Sequence, residues 1–477
     1  MKSIKKLIIA IVMIATAFSC TVYAETPPPP ETVAKSAILL NADTGRILYE
    51  KNDHARMFPA SMTKLLTAMV LLDHMELDEL IKVDSSINFV PWDSSRAGIE
   101  EGEIFTVETA IRGLIIPSGN DIGNVVASAV AKKDLGNDVS YKEAEKYFAG
   151  LMNQKARELG CTESNFVNPH GYHDDNHYTT AYDMSLIATA AMKYDIIRTA
   201  AAETRFSGNG AGRQKYNVDG KTSDYLWFSH NALITNNANF YSYATGIKTG
   251  FTDQAGDCIA ASATKDNENL IAIIMNSEDP GRWEDSRNLF DWAFDNFDMI
   301  EYRRAGVAAT AKLEGHNRLK SDTVDLEIEN SLTAYLTPEE AASVEANIIY
   351  DAGGEFLKAP VEKGTEVGTV QFILDGDVIG EARAFTSVEV EKATIFNTTA
   401  YYAKQFFLKA VSRENLKFTA VGIVLILLLT FILSIRRKRR NRYKIKGNYR
   451  GRSVTYDTSQ INSKRKKKRR DKYNKYR

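Results

Sequence analysis

The hydrophobic rhythm of the chain changes several times, and each change predicts an element. Past Phe58-Pro59-Ala60, residues 62–72 read Met-Thr-Lys-Leu-Leu-Thr-Ala-Met-Val-Leu-Leu, a run of apolar residues and good helix formers. Pro59 suits the turn before a helix, so a helix opening near Ser61 and buried nearly all round is predicted. An amphipathic stretch over 107–116 stops at Pro117. The turn Ser118-Gly119-Asn120-Asp121 follows, then another apolar helix over 122–130. Further on the rhythm becomes that of strands. Residues 244–252, 258–264 and 269–275 are strand-like, and the polar turn Asp266-Asn267-Glu268-Asn269 joins the last two into an antiparallel hairpin.

Short alternating segments such as 323–328 and 367–374, separated by turns at 351–354 and 375–377, predict a small β-sandwich over 305–392. An aromatic-rich stalk helix is expected over 394–416. Residues 418–435 are an 18-residue apolar run, long enough to span a bilayer as a transmembrane helix, and Arg436-Arg437-Lys438-Arg439-Arg440 follows at once. At the other end, Lys2, Lys5 and Lys6 precede an apolar core over 7–18, and Val22-Tyr23-Ala24 closes it. Residues 1–24 therefore read as a secretory signal peptide and 25–33 as a stiff Pro-rich leader. No internal repeat is visible.

The net charge of −1 conceals a division. From Arg436 onward, 20 Lys/Arg face only Asp457 and Asp471, and the first 24 residues carry three Lys, which leaves residues 25–435 with a net charge of −22. The basic tail, 436–477, is too polar to fold alone. Positive residues stay cytoplasmic, so the expected topology is one membrane span with the domains outside and the tail inside. The anionic inner leaflet is the expected partner of the tail; nucleic acid fits its charge but is the weaker reading beside a membrane anchor. Cys20 leaves with the signal peptide. Cys161 and Cys258 remain, and the sequence leaves open whether they pair.

Candidate chemistry lies in three motifs, Ser61-Met62-Thr63-Lys64, Ser118-Gly119-Asn120 and Lys248-Thr249-Gly250. Together they hold a nucleophile, two amines, a second hydroxyl and an amide, the parts for serine acyl transfer without a histidine. None is decisive alone. Ser-x-x-Lys recurs at Ser3–Lys6, and Ser-x-Asn at Ser86–Asn88. Read locally, Ser61 could be an N-cap and Lys64 a solvated helix lysine. The functional reading puts Ser61 at the positive end of a helix dipole and Lys64 one turn along the same face, where burial would make it a base. Gly246 and Gly250 flank Lys248 in a strand, where glycine marks close approach of backbone or ligand. Such an edge can hold an extended peptide while Lys248 attracts its carboxylate.

Order and context make the set specific. With Asn168-Pro169-His170-Gly171, the segment His177 to Met184, Asn231-Ala232-Leu233 and Arg282-Trp283-Glu284, the chain resembles the low-molecular-weight penicillin-binding proteins, serine-type D-alanyl-D-alanine carboxypeptidases, over about 34–294, so 34–300 is the expected catalytic domain. The resemblance implies a β-lactamase/transpeptidase-like α+β fold, an antiparallel sheet with helices on both faces, followed by the small β domain. It implies that Ser61 attacks the D-Ala-D-Ala carbonyl, Lys64 takes its proton, and Ser118 and Lys248 relay a proton to the leaving D-alanine. Asn120 would orient Lys64 and the substrate. Backbone N–H groups of Ser61 and Phe251 would form the oxyanion hole, and Thr249, Gly250, Thr252 and Arg282 would line the carboxylate site. Phe251 departs from the histidine the family often has there, which a backbone donor tolerates.

Peptidoglycan pentapeptide is the implied substrate, β-lactams the implied inhibitors, and no cofactor is implied. A class A β-lactamase would have Ser-Asp-Asn and a deacylating glutamate; a DD-endopeptidase shares the motifs; an inactive wall-binding scaffold would have lost Ser61, Lys64 or Lys248. His170, His173, His177, Asp174 and Asp175 look like a metal cluster in sequence, but the segment matches a family loop without a metal role.

Overall fold

The computed structural model describes residues 26–207, 225–410, 422 and 424–436. Two compact units emerge. One comprises the chain up to Ala309 together with Leu326–Gly353 and Glu366–Phe385; the other comprises Thr310–Asp325, Gly354–Thr365 and the residues from Thr386 onward.

The first unit is organised by a five-stranded sheet in the order Ile47–Lys51, Ser36–Asn41, Glu268–Ser277, Gly256–Lys265, Ala244–Thr252. Every neighbouring pair is antiparallel. Alternation along each strand sorts side chains to the two faces. Ile38, Leu40, Ala260, Ile271 and Ile273 meet one core. Ala37, Leu39, Ile259, Ala261, Ala272 and Ile274 meet another. The second core is covered by the Gly281–Asn296 helix through Trp283, Leu289 and Phe290. The first core is the larger and holds Leu65, Met69, Ile111, Leu114, Val126 and Phe148 from a cluster of helices. Helices therefore lie on both faces, as expected, and Ala244–Thr252 is an edge strand.

Helix starts follow local chemistry. A 3₁₀ turn, Ala60–Thr63, leads into the helix Lys64–His74. Thr106 Oγ1 accepts from Thr109 N at 3.2 Å and opens Val107–Ile115. The next helix is longer than expected, Asn120–Leu135, because it begins within the Ser-Gly-Asn motif itself. The Pro-rich leader is docked: Val33 N and Ala34 N donate to the Asp285 carboxylate at 3.0 and 2.9 Å, and Trp292 Nε1 donates to Pro27 O at 2.9 Å.

Beyond the catalytic sheet the chain is nearly all β. In the first unit, Glu366–Leu374 pairs antiparallel with Glu345–Tyr350 and with Asp377–Thr386. In the second unit Leu313 and Glu314 pair with Leu357 and Lys358, and Val361 bridges Val390. The helix Ile395–Ala410 follows. Cys161 and Cys258 are both buried free thiols, so the bridge left open by the sequence is not formed.

Two sequence expectations fall largely outside the described residues: the signal peptide 1–24 and the basic tail 436–477. The expected span 418–435 is described only in part. Among the described residues no helix is long and apolar enough to cross a membrane. Residues 424–436 are helical, and Leu425, Leu427, Leu429 and Phe431 are about 60% exposed.

Candidate active site

The 3₁₀ turn Ala60–Thr63 sets Ser61 at the mouth of a helix whose next residue, Lys64, is fully buried. Lys64 Nζ lies 2.8 Å from Ser61 Oγ, 2.7 Å from Asn120 Oδ1 and 2.9 Å from the His170 carbonyl oxygen. Burial lowers the Lys64 pKa well below its ordinary value, the charge of Lys248 pushes it further down, and Asp121 opposes them. A neutral amine keeps two N–H donors and one lone pair. Asn120 Oδ1 and the His170 carbonyl can only accept, so they take the two N–H groups. The lone pair is then left facing the Ser61 hydroxyl, which is the arrangement a general base needs.

The second motif lies opposite. Gly119 is the N-cap of the Asn120–Leu135 helix and Ser118 has φ +59°. A left-handed serine is uncommon and marks a position held by its surroundings. The structure shows what holds it. Asp121 is buried, and its carboxylate accepts from Ala97 N and Gly98 N, each at 2.8 Å, and from Ile122 N at 3.0 Å. This carboxylate ties the loop carrying Asp93, Ser94 and Ser95 to the motif.

The edge strand closes the third side. Lys248 is 2% exposed, and burial followed by the nearby Arg282 lowers its pKa to about 7. Near neutral pH its amine is therefore divided between the charged and the neutral form. A Cβ on Gly250 would lie 3.0 Å from Ala60 Cβ and 3.1 Å from Ser61 N. Glycine here lets the strand run directly against the Ser61 backbone, which sets the Ser61 N–H beside Gly250. The Phe251 side chain is exposed. Thr252 Oγ1 accepts from Ala255 N at 3.0 Å.

A cavity of about 470 Å³ joins these parts. Ser61, Ser118, Asn120, Thr249, Gly250, Phe251, Thr252 and Arg282 line it. The structure thus brings every sequence-predicted site residue to one place, with Lys64 and Lys248 buried around it. Arg282 is not a free cation: Asp257 Oδ1 lies 2.6 Å from its Nη1. Asp93, Tyr172, His173, His230, Asp253 and Gln254 also face the cavity and were not singled out for it by sequence. Asp121 was missed too, although an acid in the turn that opens an apolar helix was a usable signal.

The histidine-rich segment frames the site. Val167 N donates to His177 Nδ1 at 3.1 Å, which leaves Nε2–H to donate to Thr63 Oγ1 at 2.8 Å; Thr63 in turn donates to Ala60 O at 2.8 Å. Burial pushes the His177 pKa down to about 3. His170 Nδ1 accepts from Tyr172 N at 3.1 Å, and burial holds its pKa well below the ordinary value. These rings stay neutral and brace the nucleophile turn.

Comparison with known proteins gives a consistent answer. Residues 23–279 match the family described as D-alanyl-D-alanine carboxypeptidase, Peptidase S11, and residues 310–392 match the penicillin-binding protein 5 C-terminal domain. The chain is 30% identical over 367 residues to the D-alanyl-D-alanine carboxypeptidase DacF of Bacillus subtilis, covering 76% of this chain and 86% of that protein. Among solved structures it is similar to penicillin binding protein 5 from Haemophilus influenzae, with 26% identity, a TM-score of 0.56, and coverage of 77% of this chain and 100% of that one. It is also similar to the Streptomyces K15 DD-transpeptidase, with 27% identity, a TM-score of 0.51, and coverage of 56% and 100%.

Proposed function

The chain belongs to the D-alanyl-D-alanine carboxypeptidase family of serine peptidases, and we propose how its cavity carries out that reaction. The protein is a serine-type hydrolase that removes the terminal D-alanine from peptidoglycan stem peptides and binds penicillin. The observation that carries the residue-level reading is the 2.8 Å contact of buried Lys64 Nζ with Ser61 Oγ.

Neutral Lys64 takes the Ser61 proton as Oγ attacks the carbonyl of the D-Ala-D-Ala bond. The N–H groups of Ser61 and Phe251 hold the oxyanion. Ser118 passes a proton to the leaving amine, with Lys248 supporting the transfer. Collapse of the tetrahedral species expels D-alanine and leaves an ester on Ser61. Water then attacks that ester, and the same groups return the proton to Ser61. Thr249, Thr252, Lys248 and Arg282 receive the terminal carboxylate, and Asn120 orients Lys64.

The membrane reading is also our own. Residues 418–435 cross the bilayer once, the domains lie outside, and the basic tail rests on anionic lipid inside. The apolar run, the cations that follow it, and the exposed apolar side chains of 424–435 support this.

Mass spectrometry of the detergent-solubilised chain with a D-Ala-D-Ala pentapeptide tests the reaction. Loss of one alanine is expected. Cleavage of a crosslinked peptide dimer with no alanine released would make it an endopeptidase instead.

A further inference from the structure

We propose that a second cavity, at the far end of the edge strand from Ser61, is a binding site for a short zwitterion, an amino acid or a dipeptide. The proposal goes beyond the chemistry of the cleft. The cavity encloses about 660 Å³. It lies between the helices Ala181–Ala191 and Asp195–Ala202 and the ends of the strands Ala244–Thr252, Gly256–Lys265 and Glu268–Ser277.

A bulge sets the polar wall. Ala244 faces Ala263 and Gly246 faces Ser262 across the strand pair, so Thr245 is an extra residue between them. Bulges re-aim side chains, and this one turns Thr245 to Ser262 on the cavity wall. Thr245 Oγ1 lies 2.7 Å from Ser262 Oγ. The two hydroxyls hold two hydrogens and use one between them, so one O–H remains to donate. Ser262 is 4% exposed, which makes this an internal wall. Thr189 Oγ1 lines the same cavity, buried and without a hydrogen-bond partner among the described residues. A helical threonine can satisfy its hydroxyl on the carbonyl one turn earlier, and this one does not. A buried hydroxyl left unused is costly, and an entering acceptor would satisfy it.

The rim carries charge of both signs. Lys193 and Asp43 line the cavity from different segments, and among the described residues neither is in an ion pair. Asp43 is nonetheless held in place. Both of its carboxylate oxygens accept from Asn269 Nδ2 at 3.1 Å, and Asn269 Oδ1 accepts from Thr264 Oγ1 at 2.8 Å. Arg198, the other cation at this rim, is taken by Asp195 at 2.5 Å. Met192, Leu270 and Ile271 add apolar surface. These groups select the ligand. A carboxylate meets Lys193 and the unused hydroxyls, an ammonium meets Asp43, and a small apolar body fills the space between. A plain anion would set a like charge against Asp43. A plain cation would leave Lys193 and the hydroxyl donors unmet. D-alanine, the product of the reaction, has the required chemistry, and so does the dipeptide D-Ala-D-Ala.

The test is a saturation-transfer NMR titration of the detergent-solubilised full chain, first acylated with penicillin so that the cleft is filled. The probes are D-alanine, D-Ala-D-Ala, D-lactate, which lacks the ammonium, and D-alaninamide, which lacks the carboxylate. At least one zwitterion should bind with a Kd of about 1 mM, and the one-charge analogues about tenfold more weakly, the worth of one charge-assisted hydrogen bond at a wet rim. Lys193→Gln should weaken zwitterion binding about tenfold and leave D-alaninamide unchanged. Asp43→Asn should weaken it as much and leave D-lactate unchanged. Both side chains are exposed, so both variants should melt like wild type. Tighter binding of the dipeptide assigns the site to a peptide; tighter binding of D-alanine assigns it to the released amino acid. Absence of binding to the acylated chain overturns the proposal, as does D-lactate binding as tightly as D-alanine, or zwitterion binding that neither substitution weakens. Release of D-alanine from a pentapeptide by the unacylated chain reports on the carboxypeptidase reading separately.

Discussion

Lys64 and Lys248 are both buried amines, and their neighbours give them different work. Lys64 must be neutral to accept the Ser61 proton. Its pKa is depressed, so the neutral form prevails above that value; as pH falls through it, the amine protonates and acylation is lost. Lys248 is held at about 7, so as pH rises past 7 it loses its charge and its hold on a carboxylate. The rate of penicillin acylation against pH should therefore have an acid limb set by Lys64 and an alkaline limb set by Lys248. Guanidinium cannot give up its proton, so Lys64→Arg should lower acylation by about 10³-fold or more. Lys248→Arg keeps the charge at any pH and should retain acylation within about tenfold while removing the alkaline limb. Equal acylation rates for the two variants would show that the division of labour is wrong.

The elements around the site meet through positions that tolerate no side chain. A Cβ on Gly171 would lie 1.8 Å from Ala60 O, and its φ is +82°. Gly171→Ala should destabilise the fold by about 3 kcal/mol and displace the Ser61 turn. Thermal unfolding checks this; a melting temperature unchanged from wild type would contradict it. Gly250→Ala meets milder contacts at 3.0 Å. It should fold, yet acylate about 10²-fold more slowly, because the strand is pushed off the Ser61 N–H. Much of this architecture is legible in sequence. The hairpin of Gly256–Lys265 and Glu268–Ser277 shows itself by apolar runs around a polar turn. The Ser61 helix shows itself by an apolar run behind a proline. The parts that are not legible depend on backbone atoms brought from a distance. Lys64 bonds to the carbonyl of His170, and Asp121 to the N–H groups of Ala97 and Gly98. Any residue supplies those atoms, so no pattern of side chains announces them. The pairing of Arg282 with Asp257 was hidden for a related reason, since it depends on a strand and a helix meeting.

At the scale of the whole molecule, charge division and the apolar run near the C-terminus argue for an anchored enzyme. Deleting residues 418–477 should move the protein from the membrane fraction to the soluble fraction while penicillin labelling persists. A truncated chain that still sediments with membranes would overturn the single-span proposal. The account's central claim is that Ser61, with Lys64 as base, forms the acyl-enzyme. Peptide mapping by mass spectrometry after brief exposure of the full chain to penicillin tests it most directly. The predicted result is one penicilloyl adduct, on the peptide containing Ser61, lost in a Ser61→Ala variant that melts like wild type. An adduct that survives that substitution, or that maps to another serine, would contradict the account.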